Sequence, residues 1–252
     1  MGAWTLTALL RRRLLNDEGD LNAGAQEDRA FWRSLAASSR GPIVELGCGT
    51  GRILQALAVR DRSLIGLDRD PEALALARER VPSAELLEVD LLQWLPPKSV
   101  ERSAGLVAAG GDLLPLFVND EELQLLMSLA ARLVAPDGVF AIDATRMDSA
   151  LLHEAAEVAE WGEDVRWHAA DGGEIIRESR LSRDPLGRRG VAQLEIRHTL
   201  KGAGGYVDER APFSVRAWSS AEVEAAASAA GLRVVTRREE DRLRWLLRST
   251  HA

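Results

Sequence analysis

The sequence predicts an α/β fold built on a mostly parallel sheet, and three observations carry that prediction. Short apolar runs of strand length alternate with helix-period segments through five cycles between Pro42 and Asp143. The first run ends in glycines at 47, 49 and 51 and turns straight into the next helix. The chain closes on an Ala-rich helix from Ser219 followed by two strands around Glu239-Glu240-Asp241.

Composition sets the bounds on this reading. With 252 residues the chain can bury one large core, so one α/β domain with an insertion fits better than two domains. The formal charge of −7 supplies no basic field for a polyanion, which argues against nucleic acid as a partner. One cysteine, Cys48, excludes disulfides within the chain and a Cys-rich metal site, and it favours a reducing compartment. Apolar runs fall well short of the roughly 20 residues that a membrane helix needs. At the start, Trp4 to Leu10 precedes Arg11-Arg12-Arg13, the reverse of the order in a signal peptide, so the cytoplasm is the expected location.

In chain order, Leu6, Leu9, Leu10 and Leu14 share one face of an expected amphipathic helix, and Ala25 to Ser38 is helical with Ala30, Phe31 and Leu35 at helical spacing. Pro42 to Leu46 is the first strand, and Ile53, Ala56 and Leu57 lie on the helix after the glycines. Strand two, Ser63 to Leu67, ends in Asp68-Arg69-Asp70-Pro71. Asp70 caps the next helix, and Pro71 at its first position loses no needed N–H. Asp68 has no such task. Strand three covers Ala84 to Val89 and ends at Asp90; strand four covers Ala104 to Ala109 and ends in Gly110-Gly111-Asp112. Asn119 with Glu122 forms a capping box for the helix carrying Leu123, Leu126, Met127 and Ala130, and Val139 to Asp143 is strand five. Right-handed crossovers would make these strands parallel.

Ligands of open α/β sheets gather at the carboxyl ends of the strands, so the tips carry the functional reading. Glycine at 47, 49 and 51 leaves bare backbone for a ligand and tolerates positive φ. A dinucleotide fingerprint wants a further glycine where Arg52 stands, and Glu45 just before the loop repels phosphate but suits a cation. Asp68, 17 residues beyond Gly51, is placed to hold the two hydroxyls of a ribose.

Glu45-Leu46-Gly47-Cys48-Gly49-Thr50-Gly51 resembles motif I of the class I S-adenosylmethionine (SAM)-dependent methyltransferases, E/D-x-G-x-G-x-G. The resemblance covers the whole chain, tightly at this loop and loosely in the insertion. It implies a seven-stranded, mostly parallel Rossmann-like methyltransferase sheet with helices on both faces and its seventh strand antiparallel. It also implies SAM as cofactor and S-adenosylhomocysteine (SAH) as product. The cofactor-binding residues it implies are Glu45, Gly47, Cys48, Gly49, Gly51, Asp68, Arg69, Asp90, Leu91 and Ala109, with Asp90 accepting from the adenine amino group and the neighbouring backbone meeting the ring. Arg29 is the candidate partner for the cofactor carboxylate. The loop after strand four lacks the Asp/Asn-Pro-Pro-Tyr/Phe pattern of methyltransferases that act on nucleobase amino groups.

Residues 145–218 are too long for a plain connection. Val165 to Ala169, Ile175 to Leu181, Val191 to Leu200 and Tyr206 to Ala217 read as an antiparallel meander, with Ala192, Leu194, Ile196, His198 and Leu200 on one face. The layout resembles the small-molecule branch of the family, including glycine and amino-sugar N-methyltransferases, in which such an insertion roofs the acceptor site. The expected organisation is therefore a helical cap at 1–40, a SAM-binding core at 41–144 and 219–252, and a β insertion at 145–218 that serves as acceptor-site lid.

A methyl on sulfonium is already electrophilic, so the protein must chiefly align an acceptor lone pair and exclude water. A hydroxyl acceptor adds the need for a base; the catalytic candidates are His198, Asp112 and Tyr206, with His153 and His168 weaker. Asp112 either meets substrate or caps the turn after strand four, and His198 has a core reading beside its catalytic one. A lone Asp143 is thin support for a metal, and none is expected. The leading function is methyl transfer to an N or O atom of a small-molecule acceptor. A nicotinamide-dependent oxidoreductase and a non-catalytic SAM-binding protein are the alternatives, and a homodimer is the candidate assembly.

Overall fold

The computed structural model describes residues 25–168, 174–201, 206–209, 212–240 and 242–250. The expected N-terminal helix over residues 4–14 lies outside them, as do the side chains of His168 and Tyr206. The chain divides into two bodies, one holding Gly24–Arg146 with Ser219–Ala252 and the other Met147–Trp218. The helix at 25–38 falls in the first of these bodies.

The first body is a seven-stranded sheet. Its strands are β1 (Ile43–Leu46), β2 (Leu64–Asp68), β3 (Glu85–Glu88), β4 (Ala104–Ala109), β5 (Val134–Thr145), β11 (Leu232–Glu239) and β12 (Arg242–Ser249), in the order β11-β12-β5-β4-β1-β2-β3. β1 lies parallel between β2 and β4, whereas β12 is antiparallel to both of its neighbours. The order reverses between β1 and β4, so a crevice opens at their carboxyl ends. β1 and β4 are buried along their whole length, which is why both read as continuous apolar runs.

Helices α1 (Ala25–Ser38), α2 (Arg52–Leu57), α3 (Pro71–Arg80), α4 (Asp120–Leu133) and α6 (Ser220–Ala229) accompany this sheet. Trp32 of α1 is fully buried in one cluster with Ile43, Ile53, Leu54 and Leu106. The caps form as the sequence implies. Asp70 accepts from the amides of Glu72 and Ala73, and Ser219 with Glu222 makes a reciprocal box. At α4 the box is displaced by one residue: Asn119 accepts from the Glu122 amide, but Glu122 accepts from Val118. β5 starts at Val134, earlier than expected, because Ala104 pairs with Val134 before Pro136-Asp137-Gly138 loops out and Leu106 pairs with Val139.

The second body contains α5 (Ser149–Val158) and an antiparallel sheet of β6 (Gly162–His168), β7 (Glu174–Arg183), β8 (Val191–Lys201), β9 (Tyr206–Glu209) and β10 (Phe213–Arg216), ordered β10-β8-β7-β6 with β9 also on β8. The strand expected over 206–217 is thus two strands, with Pro212, which has no N–H for a ladder, between them. α5 is an addition to the sequence reading. Asp148 caps it, and Leu152 and Ala156, four apart, pack on Ala192, Val215 and Ala217. On the opposite face of the sheet, Glu195 and Glu178 each hold an arginine with both oxygens, and those guanidiniums, of Arg180 and Arg197, lie 4.8 and 4.2 Å from the Trp161 ring centre.

Candidate functional site

The glycine loop leaves β1 with φ of +65° at Gly47, +51° at Gly49 and +81° at Gly51, a left-handed region that side chains disfavour. Their surroundings differ. A Cβ on Gly51 would press on Ala77 of α3 at 3.1 Å, whereas one on Gly49 would meet nothing within 4 Å. Gly51 is therefore a packing glycine, and Gly49 presents bare backbone to open space.

Asp68 at the tip of β2 braces the loop: Oδ2 accepts from the Gly49 amide at 2.7 Å and Oδ1 from the Asp70 amide at 2.9 Å. This corrects the reading that Asp68 has no structural task. Each carboxylate oxygen keeps a further lone pair, so the brace leaves capacity for two hydroxyls. Asp90 is engaged too, accepting from the Leu92 amide at 3.0 Å and from Gln93 Nε2 at 3.0 Å. Gly47, Asp68, Arg69, Asp90 and Leu91 line one cavity of about 150 Å³, closed on its apolar side by Leu92, Leu113, Leu116 and Phe117. The cavity thus joins an apolar lining to two carboxylates, those of Asp68 and Asp90. The apolar wall went unread in the sequence, although its signal, an apolar stretch directly after strand four, was present.

Glu45 is 2 % exposed, and its Oε2 atom is buried without a hydrogen-bond partner. Burial pushes its carboxyl well above the ordinary glutamate range; Arg52 works against that rise and Asp68 adds to it. Arg52, where a dinucleotide loop would have glycine, is held by Asp28 of α1 through contacts of 2.9 and 2.8 Å. It is an internal clamp between α1 and α2, not a phosphate ligand. Asp28 had not been singled out, since a lone acid in a polar helix turn carries no sequence signal of its partner.

Other expected residues lie apart from the cavity. The Cys48 side chain turns into the core near Gly66, so this residue offers a ligand only backbone; burial, followed by Glu45 and Asp68, pushes its thiol up. Ala109 is fully buried at the end of β4, and Arg29 is half-buried on α1. Asp112, at φ +63°, accepts from the Thr145 amide at 2.5 Å and from Arg242 Nη2 at 3.2 Å, tying β4, β5 and β12 together. Arg242 also donates through Nε to Asp143 at 2.7 Å. Asp143 is fully buried, and burial raises its pKa against the pull of Arg242 and Arg244. The bonds of Asp112 thus run to Thr145 and Arg242, a cross-strand tie that neither of its two readings foresaw. In the second body, His198 is 1 % exposed on β8. A larger cleft of about 670 Å³ there, between α5 and the β7–β8 turn, contains two ion pairs, Arg183 with Glu157 and Arg188 with Asp184. No metal-binding group of three or more His, Cys, Asp or Glu occurs among the described residues.

The candidate site thus combines a buried Glu45 Oε2 without a hydrogen-bond partner, bare backbone at Gly49 and an apolar cavity that Asp68 and Asp90 also line. Residues 43–138 match the family model described as "Methyltransferase domain". Among curated relatives, the trans-aconitate 2-methyltransferase of Acidovorax sp. (strain JS42) is 32% identical over 135 residues, covering 51% of this chain and 49% of that protein. The chain spans about half the length of such relatives. Among solved structures, an S-adenosylmethionine-dependent methyltransferase from Clostridium acetobutylicum ATCC 824 superposes with a TM-score of 0.71 at 14% identity, covering 98% of this chain and 99% of that one. SAM-bound CalS10, an amino pentose methyltransferase from Micromonospora echinaspora, superposes with a TM-score of 0.67 at 21% identity, covering 98% and 97%. By fold and motif, the chain resembles the class I SAM-dependent methyltransferases, and the family model covers residues 43–138 of it.

Proposed function

We propose that the protein transfers a methyl group from SAM to an N or O atom of a small-molecule acceptor. The observation that carries the reading is Glu45 Oε2, buried and without a partner at the end of β1 beside the open backbone of Gly49. That pairing supports a cation resting on peptide over a pyrophosphate. Glu45 and the loop backbone would hold the amino-acid end of the donor, Asp68 the ribose, and Asp90 with Leu91 the adenine. Leu113, Leu116 and Phe117 would keep water from the cavity. When bound, SAM supplies an electrophilic methyl; the chain's own contribution is orientation and exclusion of solvent.

On the acceptor side, His198 and Tyr206 stay as candidate bases for a hydroxyl, whereas the engagement of Asp112 with Thr145 and Arg242 argues against it in that role. The relatives' name points to an acid as acceptor, and the neighbours include a methyltransferase of an amino pentose, so both oxygen and amine acceptors belong in the test. The Arg52 clamp counts against a nicotinamide enzyme. Among the described residues no helix is long and apolar enough to cross a membrane. A single buried thiol accords with the cytoplasm, and a homodimer is the assembly to look for by light scattering.

The test is calorimetric titration with SAM, SAH and NAD, followed by labelled methyl transfer to panels of small carboxylic acids, amino sugars and amines. SAM and SAH binding without NAD binding, and label in one panel, is the expected result. NAD binding alone would overturn the reading, and tight SAM binding with no labelled product would favour a non-catalytic binding protein.

A further inference from the structure

Glu45 is flanked in register by Gly66 of β2 and Ala108 of β4, neither of which can shield a charge. Every ionic neighbour that acts on it is already committed. Arg52 of α2 is gripped at two nitrogens by Asp28 of α1, and Asp68 of β2 spends its oxygens on the Gly49 and Asp70 amides while adding negative charge. Cys48 stays a neutral thiol, because burial above all pushes its ionisation up. An ionised Glu45 would have little water, no hydrogen bond on Oε2 and no dedicated counter-ion, and burial in that position favours the protonated acid.

We infer that Glu45 is protonated in the free protein and loses its proton to solvent when the α-ammonium of the donor settles beside it, so that capture of an amino-acid-bearing nucleoside is a proton-releasing step. The charge balance is simple. A neutral carboxylic acid and an ammonium become a carboxylate–ammonium pair, and one proton passes to the buffer. Glu45 then acts as a specificity residue. It favours a nucleoside that brings a cation, as SAM and SAH both do through the ammonium, over adenosine, which brings none. The inference rests on the reading of this crevice as a SAM site.

The experiment is titration calorimetry on the full chain at pH 6.5, in buffers of small and large ionisation enthalpy, with SAM, SAH and adenosine. Wild-type protein is expected to release close to one proton with SAM and with SAH, and close to none with adenosine. Its SAM affinity should rise by up to about tenfold per pH unit between pH 5.5 and 7, the slope that release of one proton requires. Glu45→Gln should bind SAM without proton release and with a flat pH profile. Equal release from wild type and Glu45→Gln, no release from wild type, or a full proton released by adenosine would each overturn the inference. Should the variant not fold, the wild-type slope and the adenosine control decide, since a pH-independent SAM affinity rejects the idea. Absence of any SAM binding would instead overturn the SAM reading itself.

Discussion

The Gly49 amide donates to Asp68 Oδ2 across 2.7 Å, so the acid proposed to hold the ribose also braces the glycine loop. Asp68 Oδ1 holds the Asp70 amide at the same time, and Asp70 caps α3. Loop, strand tip and helix start therefore share one carboxylate.

Replacing that carboxylate should have two effects. Asp68→Ala is expected to weaken SAM binding by about 1.5–3 kcal/mol through lost charge-assisted hydrogen bonds, and to loosen the glycine loop as well. Titration calorimetry gives the first, and amide exchange at residues 47–51 the second. An unchanged dissociation constant would remove Asp68 from the site.

Gly49→Val places a β-branched residue at φ +51°, where left-handed backbone costs roughly 1–2 kcal/mol, in space that is otherwise open. The domain should stay folded by circular dichroism while SAM binding is lost. Normal affinity in a folded Gly49→Val protein would mean that the ligand does not lie on this backbone.

Arg52→Ala strands Asp28, only 5 % exposed, without its counter-ion, and should destabilise the protein by about 3 kcal/mol in urea unfolding. The double change Arg52→Met with Asp28→Leu removes both charges and should recover most of that loss. If the double variant is as unstable as the single one, packing and not the ion pair joins α1 to α2.

Stability of the ligand-free protein should fall as pH rises. Burial holds Glu45 above its ordinary range, against Arg52 and helped by Asp68, so the folded chain keeps a proton that the unfolded chain has lost. The favourable term is fully present below the unfolded value and is lost as pH rises through the folded one. Asp143 acts with the same sign, raised by burial against Arg242 and Arg244. Acids of the insertion such as Glu178 and Glu195, lowered by their bonds to Arg197 and Arg180, titrate on the acid side of this window. Melting temperatures from pH 5.5 to 8.5 should therefore decline in wild type and decline less steeply in Glu45→Gln, where the Asp143 contribution remains. Parallel declines in both would exclude Glu45 as the source.

Much of the site was legible because its residues are local. Glu45 and the glycines form one block, and Asp68 and Asp90 end strands whose apolar runs mark where the tips must be. The helix at 149–158 carried signals too, with Asp148 as cap and Leu152 and Ala156 four apart, but ten residues inside a long polar segment do not outweigh the strand patterns around them. The break at Pro212 was written in the sequence and went unread.

The sequence by itself determined the alternating architecture, the glycine loop at the end of β1 and the antiparallel closing hairpin, since each follows from periodicity or from residues adjacent in the chain. Only the tertiary structure decided that Asp28 neutralises Arg52, that Arg242 reaches Asp112 from 130 residues away, and that Glu45 is left without a partner. Those pairings depend on which side chains the packed sheet and helices bring within about 3 Å of one another, and hydrogen-bond reach in space leaves no trace in spacing along the chain.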